Sequence, residues 1–542
     1  MSSMSSMSSM SSMSSINNLL NRMKQLIEKY AYVLLFVIFA VFLASRLLKL
    51  AHLPYGVHVD EIAGALDGYY LSHYGMDRNM WHMPPHLMNF INGQSALYAY
   101  SLALVLKFVP YSITAVRVPP VIWGSVAFFY SFRLVKELFD GDKAIALLGP
   151  IFFTIFPFIM SSERWGLDCN LYLSLGTVSL YYFIIAMKSE KTKDYVIAGI
   201  WLGLTLYTYA ISYVTTIIFL VLAFIYVLYL KKFDFKKWGC MAIPCFILAL
   251  PLILFIMVNM DILPEFSLFG SDIKRMVEYR GGQITLIHLI TNFTFIPKLL
   301  LGGDGLTYNA FDITAFGTVY VFMAPIIVIG IIWYAIDMVK SIKNKELDEF
   351  MFVFIFFICA LLGVLLVDGP SINNANQIYI TFIVFAVYAI VKITKKWYVF
   401  TPIVLATSAV FFLAYSIFYF KDQRDRYGHQ TLFYGTACYE LVEYAERLYN
   451  PTGEKTVYLE EQYEDLEGEV FMLSALKDVP PEEFSYDRTE FRNVKLHFPG
   501  EFDENENAIY ILGYNWDHIA SYLTSIGFNV DTTFDRYYIL YR

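Results

Sequence analysis

Hydrophobic side chains in this chain do not alternate; they come in blocks. Apolar runs of 15 to 22 residues occupy 32–48, 115–135, 144–160, 171–187, 195–211, 213–230, 240–258, 318–338, 350–367, 377–391 and 398–419. About 20 such residues, rising 1.5 Å each, match the hydrocarbon core of a bilayer, so eleven membrane-spanning helices are predicted. The connections carry a second pattern. Every other one is basic: Arg133, Lys136 and Lys143; Lys188, Lys191 and Lys193; Lys231, Lys232, Lys236 and Lys237; Lys340, Lys343 and Lys345; Lys392, Lys395 and Lys396. The alternate connections are mixed or acidic. The positive-inside rule then places the basic loops and the N-terminus in the cytoplasm. After an odd number of spans the C-terminal region lies outside. Lys24 and Lys29 precede the first run, as in an uncleaved signal anchor.

Of the five outer connections four are more than a tight turn, at 49–114, 161–170, 259–317 and 368–376. The two long ones hold amphipathic stretches, Ser95–Phe108 and Ile284–Leu301, expected to lie along the membrane surface. Were Ser95–Phe108 to cross instead, every basic loop would fall outside, and that arrangement is rejected. The opening MSSMSSMSSMSSMSS is a low-complexity repeat, read with its continuation as a disordered tail over 1–30. Beyond 420 the hydropathy falls. Helices are expected at Leu432–Leu448 and His518–Ile526, and strands at Thr456–Leu459, Ala508–Gly513 and Tyr537–Tyr541. This is a small α/β unit without a Gly-rich phosphate loop or a nucleophile motif.

Composition agrees. The chain is 57% hydrophobic and 16% charged, against about 25% charged in soluble domains. A soluble enzyme, a nucleic-acid binder and a disordered protein are excluded. From Lys421 onward, 11 Lys and Arg face 24 Asp and Glu, whereas the rest has 29 against 24: a slightly basic membrane body carries an acidic outer unit. The five cysteines include no CxxC, so neither a disulfide framework nor a zinc site is indicated. Only Cys169 and Cys438 lie where an oxidising compartment reaches them, and no bond between them is expected.

Polar chemistry concentrates in the outer segments. Asp60 and Glu61 follow the first span by about a dozen residues, Asp67 and Asp77 come next, and five of the nine histidines share this segment. Most of these read as ordinary loop side chains; His82 and His86 have helical spacing, but two prolines separate them. SSERWGLDCNLYL brings Glu163, Arg164 and Asp168 together at a membrane boundary. Arg164 reads equally as an interfacial anchor or as a cation in a membrane-level pocket, where ionisable groups are costly and usually functional. GGDGLTYNAFDITAFG, with Asp304, Tyr308, Asn309 and Asp312, reads as a turn into the eighth span or as a pocket wall.

HVDEIAGALDGYYLSHYGMDR, NGQSALYAYSLALVLKF, AVRVPPVIWG and SERWGLDCNLYL, in that order, resemble the bacterial membrane glycosyltransferases of the protein-mannosyltransferase-like group (glycosyltransferase family 39 and the aminoarabinose transferases that modify lipid A). GPSINNANQIYITFIVFAVYAI resembles their Asn-rich outer loop. The resemblance spans roughly 30–420 and is strongest within 55–175. It implies a mainly α polytopic membrane protein of the GT-C fold, about 11 transmembrane helices, with 31–420 as the catalytic domain and 421–542 as a small extracytoplasmic α/β domain. It also implies an inverting enzyme that takes a sugar from a polyprenyl phosphate and delivers it to an acceptor hydroxyl of a glycan, lipid or protein. Asp60 matches the first acid of the family motif, the general base. Glu61 would tune it, since neighbouring carboxylates raise each other's pKa. The departing phosphate needs a cation or hydrogen-bond donors: Arg164 first, then Arg78 and Lys298. His58, Asp67, Asp77, His82, Asp168, Asp304, Tyr308 and Asn309 are the expected substrate-binding residues. Oxygen ligands from Asp60, Glu61 and Asp168 would suit Mg²⁺ or Mn²⁺, yet this branch usually works without metal, and no cofactor is expected. The location implied is a bacterial plasma membrane, with membrane lipids as neighbours.

Two other classes compete. A lipid-linked sugar flippase or other transporter would show broken helices, midplane ionisable groups and inverted repeats, whereas the polar groups here gather at the outer boundary. A non-catalytic scaffold would not need Asp60, Glu61 or Arg164.

Overall fold

The computed structural model describes residues 2–89, 92–189, 191–279, 285–303, 316–421, 433–434, 438–460, 467–497, 507–534 and 537–542. All eleven predicted runs form helix, and the chain is a mainly helical, multi-pass membrane protein. Among the described residues seven helices are long and apolar enough to cross a membrane: Arg22–Leu47, Ile113–Leu138, Asn170–Lys188, Ile211–Tyr229, Phe235–Asn259, Met323–Asn344 and Phe400–Phe420. The other four runs give shorter helices, at Lys143–Ile155, Thr192–Thr205, Glu349–Leu365 and Ile378–Thr394.

The first helix is α1 (Ser2–Leu47). No Gly or Pro occurs before residue 48, so a helix nucleated in the span propagates outward at little cost. Next come β1 (Val57–His58), α2 (Val59–His73), the hairpin β2 (His86–Asn89) and β3 (Asn92–Ser95), and α3 (Ala96–Val105). At ten residues α3 measures about 15 Å and does not cross. It packs on α2, where Gly68 lets the helices close; a Cβ there would lie 2.9 Å from Leu102 Cδ2.

After α4 (Ile113–Leu138), the run expected at 144–160 is divided into α5 (Lys143–Ala146), α6 (Leu148–Ile155) and α7 (Pro157–Ser162). Pro157 has no N–H to give to the Phe153 carbonyl and breaks the helix there. The bundle continues with α8 (Asn170–Lys188), α9 (Thr192–Thr205), α10 (Ile211–Tyr229) and α11 (Phe235–Asn259). A small hairpin of β4 (Phe266–Leu268) and β5 (Ser271–Ile273) follows. Residues 285–301 are the described part of the amphipathic stretch Ile284–Leu301. They are divided into the turns His288–Thr291, Asn292–Phe295 and Lys298–Leu301, with Pro297 at the last break.

Beyond β6 (Phe433–Tyr434) and the helix Cys438–Tyr449, the C-terminal region builds a six-stranded mixed sheet. Its strands are β7 (Thr456–Glu460), β8 (Glu490–Phe491), β9 (Val494–Leu496), β10 (Ala508–Gly513), β11 (Asn529–Asp531) and β12 (Tyr537–Tyr541), in the spatial order β11-β12-β10-β7-β9-β8. β7 is parallel to β10 and to β9, and the remaining pairs are antiparallel. Short polar stretches hide β8, β9 and β11 from period-2 reading.

This region is not a detached unit. One apolar core joins Ile62, Leu66 and Tyr70 of α2 to Leu441, Phe471, Val457 and Ile509. β1 pairs with β6, Val57 opposite Tyr434. The hydroxyls of Tyr69 and Tyr74 both donate to Asp478 Oδ1, each at 2.8 Å. The helix carrying the candidate acids is thus clamped between the membrane bundle and the sheet.

Candidate active site

The path from the end of α1 to α2 is fixed by three fully buried arginines, Arg46, Arg117 and Arg164. Arg46 donates to Phe153 O (3.1 Å), the carbonyl that Pro157 left unpaired, and to Thr154 O (2.6 Å), while its Nε pairs with Glu163 Oε2 at 2.9 Å. Arg164 donates from Nη1 to Ser45 O and Arg46 O (2.8 and 2.7 Å) and from Nη2 to Leu48 O and Leu53 O (both 2.8 Å). It thereby caps the C-terminal carbonyls of α1, where a cation also complements the helix dipole. Arg117 uses all five N–H groups: Leu50 O, Pro54 O and Gly56 O, and both oxygens of Glu61 at 3.0 and 3.1 Å.

Asp60 and Glu61 therefore part company. Glu61 is fully buried, accepts from Arg117 and from Gly166 N (2.8 Å), and closes the capping box with His58. Both of its oxygens are committed to holding α2, the helix that carries Asp60. Asp60 stays open, its side chain 48% exposed. A neutral donor orients it: Asn89 Nδ2 reaches Oδ1 at 2.7 Å, and Gln94 Nε2 holds the Asp60 carbonyl at 3.1 Å. His58 Nδ1 accepts from Asp60 N at 3.1 Å.

The β2–β3 hairpin then connects Asp60 to the second outer segment. Asp168 accepts from Ser95 N (2.8 Å) and Cys169 N (2.7 Å). Burial pushes its carboxyl up to about 7, the Ser95 N–H pulls the other way, and the nearby Asp60 charge adds to the rise. On the same hairpin His86 is buried, its ring tilted against Phe255 with centroids 4.8 Å apart, and its Nδ1 lies 3.3 Å from the Tyr213 hydroxyl. Burial lowers it to about 4, so the ring is neutral. Gly93 makes room for it; a Cβ there would sit 2.3 Å from His86 Nε2.

The other expected residues divide. Arg164 is corrected as a phosphate ligand: both terminal nitrogens are spent on backbone carbonyls and its guanidinium lies over Tyr419 and Phe420. Arg78 is corrected likewise. It is buried, donates to Ala63 O, Met88 O and Asn89 Oδ1, and lies over Phe471. Asp67 is buried 3.6 Å from that guanidinium, and Asp77 is buried as a turn cap accepting from Asn79 N and Trp81 N; neither reaches an open surface. His82 is exposed and joined through its backbone to Asp272. Lys298 is part-buried over Phe295, and among the described residues no carboxylate lies within ion-pair reach of it. Asp304, Tyr308 and Asn309 lie outside the described residues. Cys169 and Cys438 are both buried, and no disulfide joins them.

Among the described residues no three His, Cys, Asp or Glu side chains converge as metal ligands do. The set Asp60, Glu61 and Asp168 does not fit a divalent ion, because Arg117 already neutralises Glu61. Sequence reading missed Asn89, Gln94, Ser95, His86, Arg46 and Arg117. Only the two arginines left a signal, as charges inside apolar runs.

Residues 94–259 match the family model of the dolichyl-phosphate-mannose-protein mannosyltransferases. No curated protein sequence matches the chain. The structure of ArnT from Cupriavidus metallidurans bound to undecaprenyl phosphate is similar, with a TM-score of 0.54 and 11% identity over 94% of this chain and 98% of that one. The apo ArnT structure gives 0.53 at 11% identity, over 94% and 97%. The identity is too low to carry function, but the likeness runs through both the membrane bundle and the C-terminal region. The chain therefore has the GT-C fold, with a protein-mannosyltransferase-like segment at residues 94–259.

Proposed function

We propose that this protein is an inverting membrane glycosyltransferase that moves a sugar from a polyprenyl-phosphate donor to an acceptor hydroxyl at the outer face. One observation carries the reading. Of the four acids in the first outer segment, Glu61, Asp67 and Asp77 are buried, while Asp60 alone is half-exposed and aimed by a neutral amide. A general base needs that: a carboxylate oriented for the incoming hydroxyl and not already neutralised by a cation.

In the step proposed, Asp60 takes the proton of the acceptor hydroxyl as its oxygen attacks the anomeric carbon. The bond from that carbon to the phosphate oxygen breaks on the opposite face, and polyprenyl phosphate leaves with the electron pair. Lys298 is the proposed phosphate partner. Its turn packs beside the outer segment whose Asn376 donates to Cys169 O at 2.7 Å, next to Asp168. Asp168 and the hairpin amides line the sugar side. ArnT has been seen with undecaprenyl phosphate, which supports a lipid-phosphate donor here.

The test is release of polyprenyl phosphate from a panel of polyprenyl-phosphate sugars by the purified protein in liposomes, beside Asp60→Asn. Release by the wild type and loss in the variant, with lipid binding intact, are expected. Turnover retained by Asp60→Asn removes Asp60 as the base. Transbilayer movement of the donor without release turns the reading to a transporter.

A further inference from the structure

At the end of α1 opposite the candidate active site, roughly 30–35 Å away along the helix, a cavity of about 1030 Å³ opens between α1, the turn after α4, and the helices Glu349–Leu365 and Ile378–Thr394. Five lysines line it, Lys24, Lys29, Lys143, Lys392 and Lys395, against Glu28, Asp140 and Asp142. The acids are unevenly spent. Lys24 takes Asp142 at 2.6 Å and Glu28 at 3.8 Å, and Lys392 pairs with Asp337 behind the wall. Among the described residues Lys29, Lys143 and Lys395 have no carboxylate within ion-pair reach. These three cations come from three elements distant in sequence, so the cavity gathers charge that a single basic loop would not.

We propose that this cavity binds the headgroup of an anionic glycerophospholipid of the inner leaflet. The wall beside it decides between a lipid and a free phosphate. Lys143 lies over the ring of Tyr32, 5.1 Å away, and Tyr32 belongs to an exposed apolar face of α1 that continues through Val33, Phe36 and Val37. A phosphodiester among the three lysines therefore has its acyl chains laid along that face, in the plane where a bilayer would put them. Free phosphate would leave it uncovered.

The experiment uses the full chain in nanodiscs and reads retained lipid by native mass spectrometry, with phosphatidylglycerol against phosphatidylcholine. Preferential retention of phosphatidylglycerol is expected. It should fall about fivefold or more in K29Q/K143Q/K395Q and stay unchanged in K231Q/K232Q/K343Q, which removes equal charge from other basic loops. Equal losses in both triples overturn the cavity in favour of a diffuse basic surface. Displacement of the lipid by soluble glycerol phosphate at millimolar concentration overturns the lipid assignment. Should the cavity triple not fold, the unmodified protein decides: a headgroup-photolabelled phosphatidylglycerol must mark α1 and residues 139–145, and labelling spread evenly over the basic loops overturns the proposal.

Discussion

Glu61→Gln separates a structural acid from a chemical one. The substitution preserves shape and removes one charge. In the wild type Glu61 accepts two N–H groups of Arg117 at 3.0 and 3.1 Å and the Gly166 N–H at 2.8 Å, in a site with no solvent. With Gln, the Arg117 cation stays buried without its counter-charge, and an amide N–H₂ meets a guanidinium N–H where an oxygen stood. Breaking a buried pair from one side costs about 3–5 kcal/mol, and part of that falls on the 50–56 segment that Arg117 holds through three carbonyls. Asp60→Asn is different in kind. Asp60 is half-exposed and bonded to a neutral Asn89, so its loss costs about 0.5 kcal/mol or less in stability. As the proposed base it is expected to cost about 10²–10⁴ in rate. The assay is paired: thermal unfolding of each variant in one detergent, and polyprenyl-phosphate release measured at a temperature where both are folded. Glu61→Gln should unfold several degrees lower and keep most of its rate per folded molecule; Asp60→Asn should do the reverse. A Glu61→Gln protein that is as stable as wild type and inactive would refute the division of roles.

Arg164→Met should lower the unfolding temperature, through the carbonyls of Ser45, Arg46, Leu48 and Leu53 that lose its donors, and leave donor affinity unchanged; a weakened affinity in folded protein would restore Arg164 as a phosphate ligand. Folded Asp168 keeps its proton up to about 7, whereas an unfolded chain releases it near 3.9. The stability this group contributes is therefore full below about pH 4 and is lost as pH rises to about 7. Asp168→Asn should flatten that decline in unfolding temperatures measured from pH 5 to 8, and an unchanged slope would show that Asp168 does not hold its proton. Asp478→Ala frees the hydroxyls of Tyr69 and Tyr74 and should raise proteolytic cleavage within 438–542 with little change in the membrane bundle; unchanged cleavage would mean the shared apolar core alone holds the sheet on α2.

Much of the fold was legible because it is local. Blocks of apolar residues form helices wherever they fall, and the alternation of basic loops agrees with a bundle whose Lys24 end and Arg46 end face apart. The short strands β8, β9 and β11 were not legible, since each is only two or three residues long and is held by a neighbour distant from the apolar runs: β8 on β9, β9 on β7 and β11 on β12. The arginines misled through distance. Arg164 has the composition of a phosphate ligand, and only the end of α1, more than a hundred residues earlier, shows that its donors are spent.

Asp60 and Glu61 state the problem in two residues. Neighbours on a helix point about 100° apart, so one of an adjacent acidic pair at the start of α2 must turn inward when the other faces out. The sequence contains that much. Which one turns inward depends on a cation to receive it, and Arg117 stands 56 residues on, near the start of an apolar run, beside prolines that suggest only a helix boundary. Three arginines in apolar surroundings, Arg46, Arg117 and Arg164, each hold backbone carbonyls between α1 and α2 or at the Pro157 break. Their placement argues that rigidity of the path to Asp60, and not direct contact with substrate, is what these charges supply. A charge inside an apolar run is thus a stronger pointer to the site than a charge in the loop, because burying it demands a partner, and the partners here are the walls that aim Asp60.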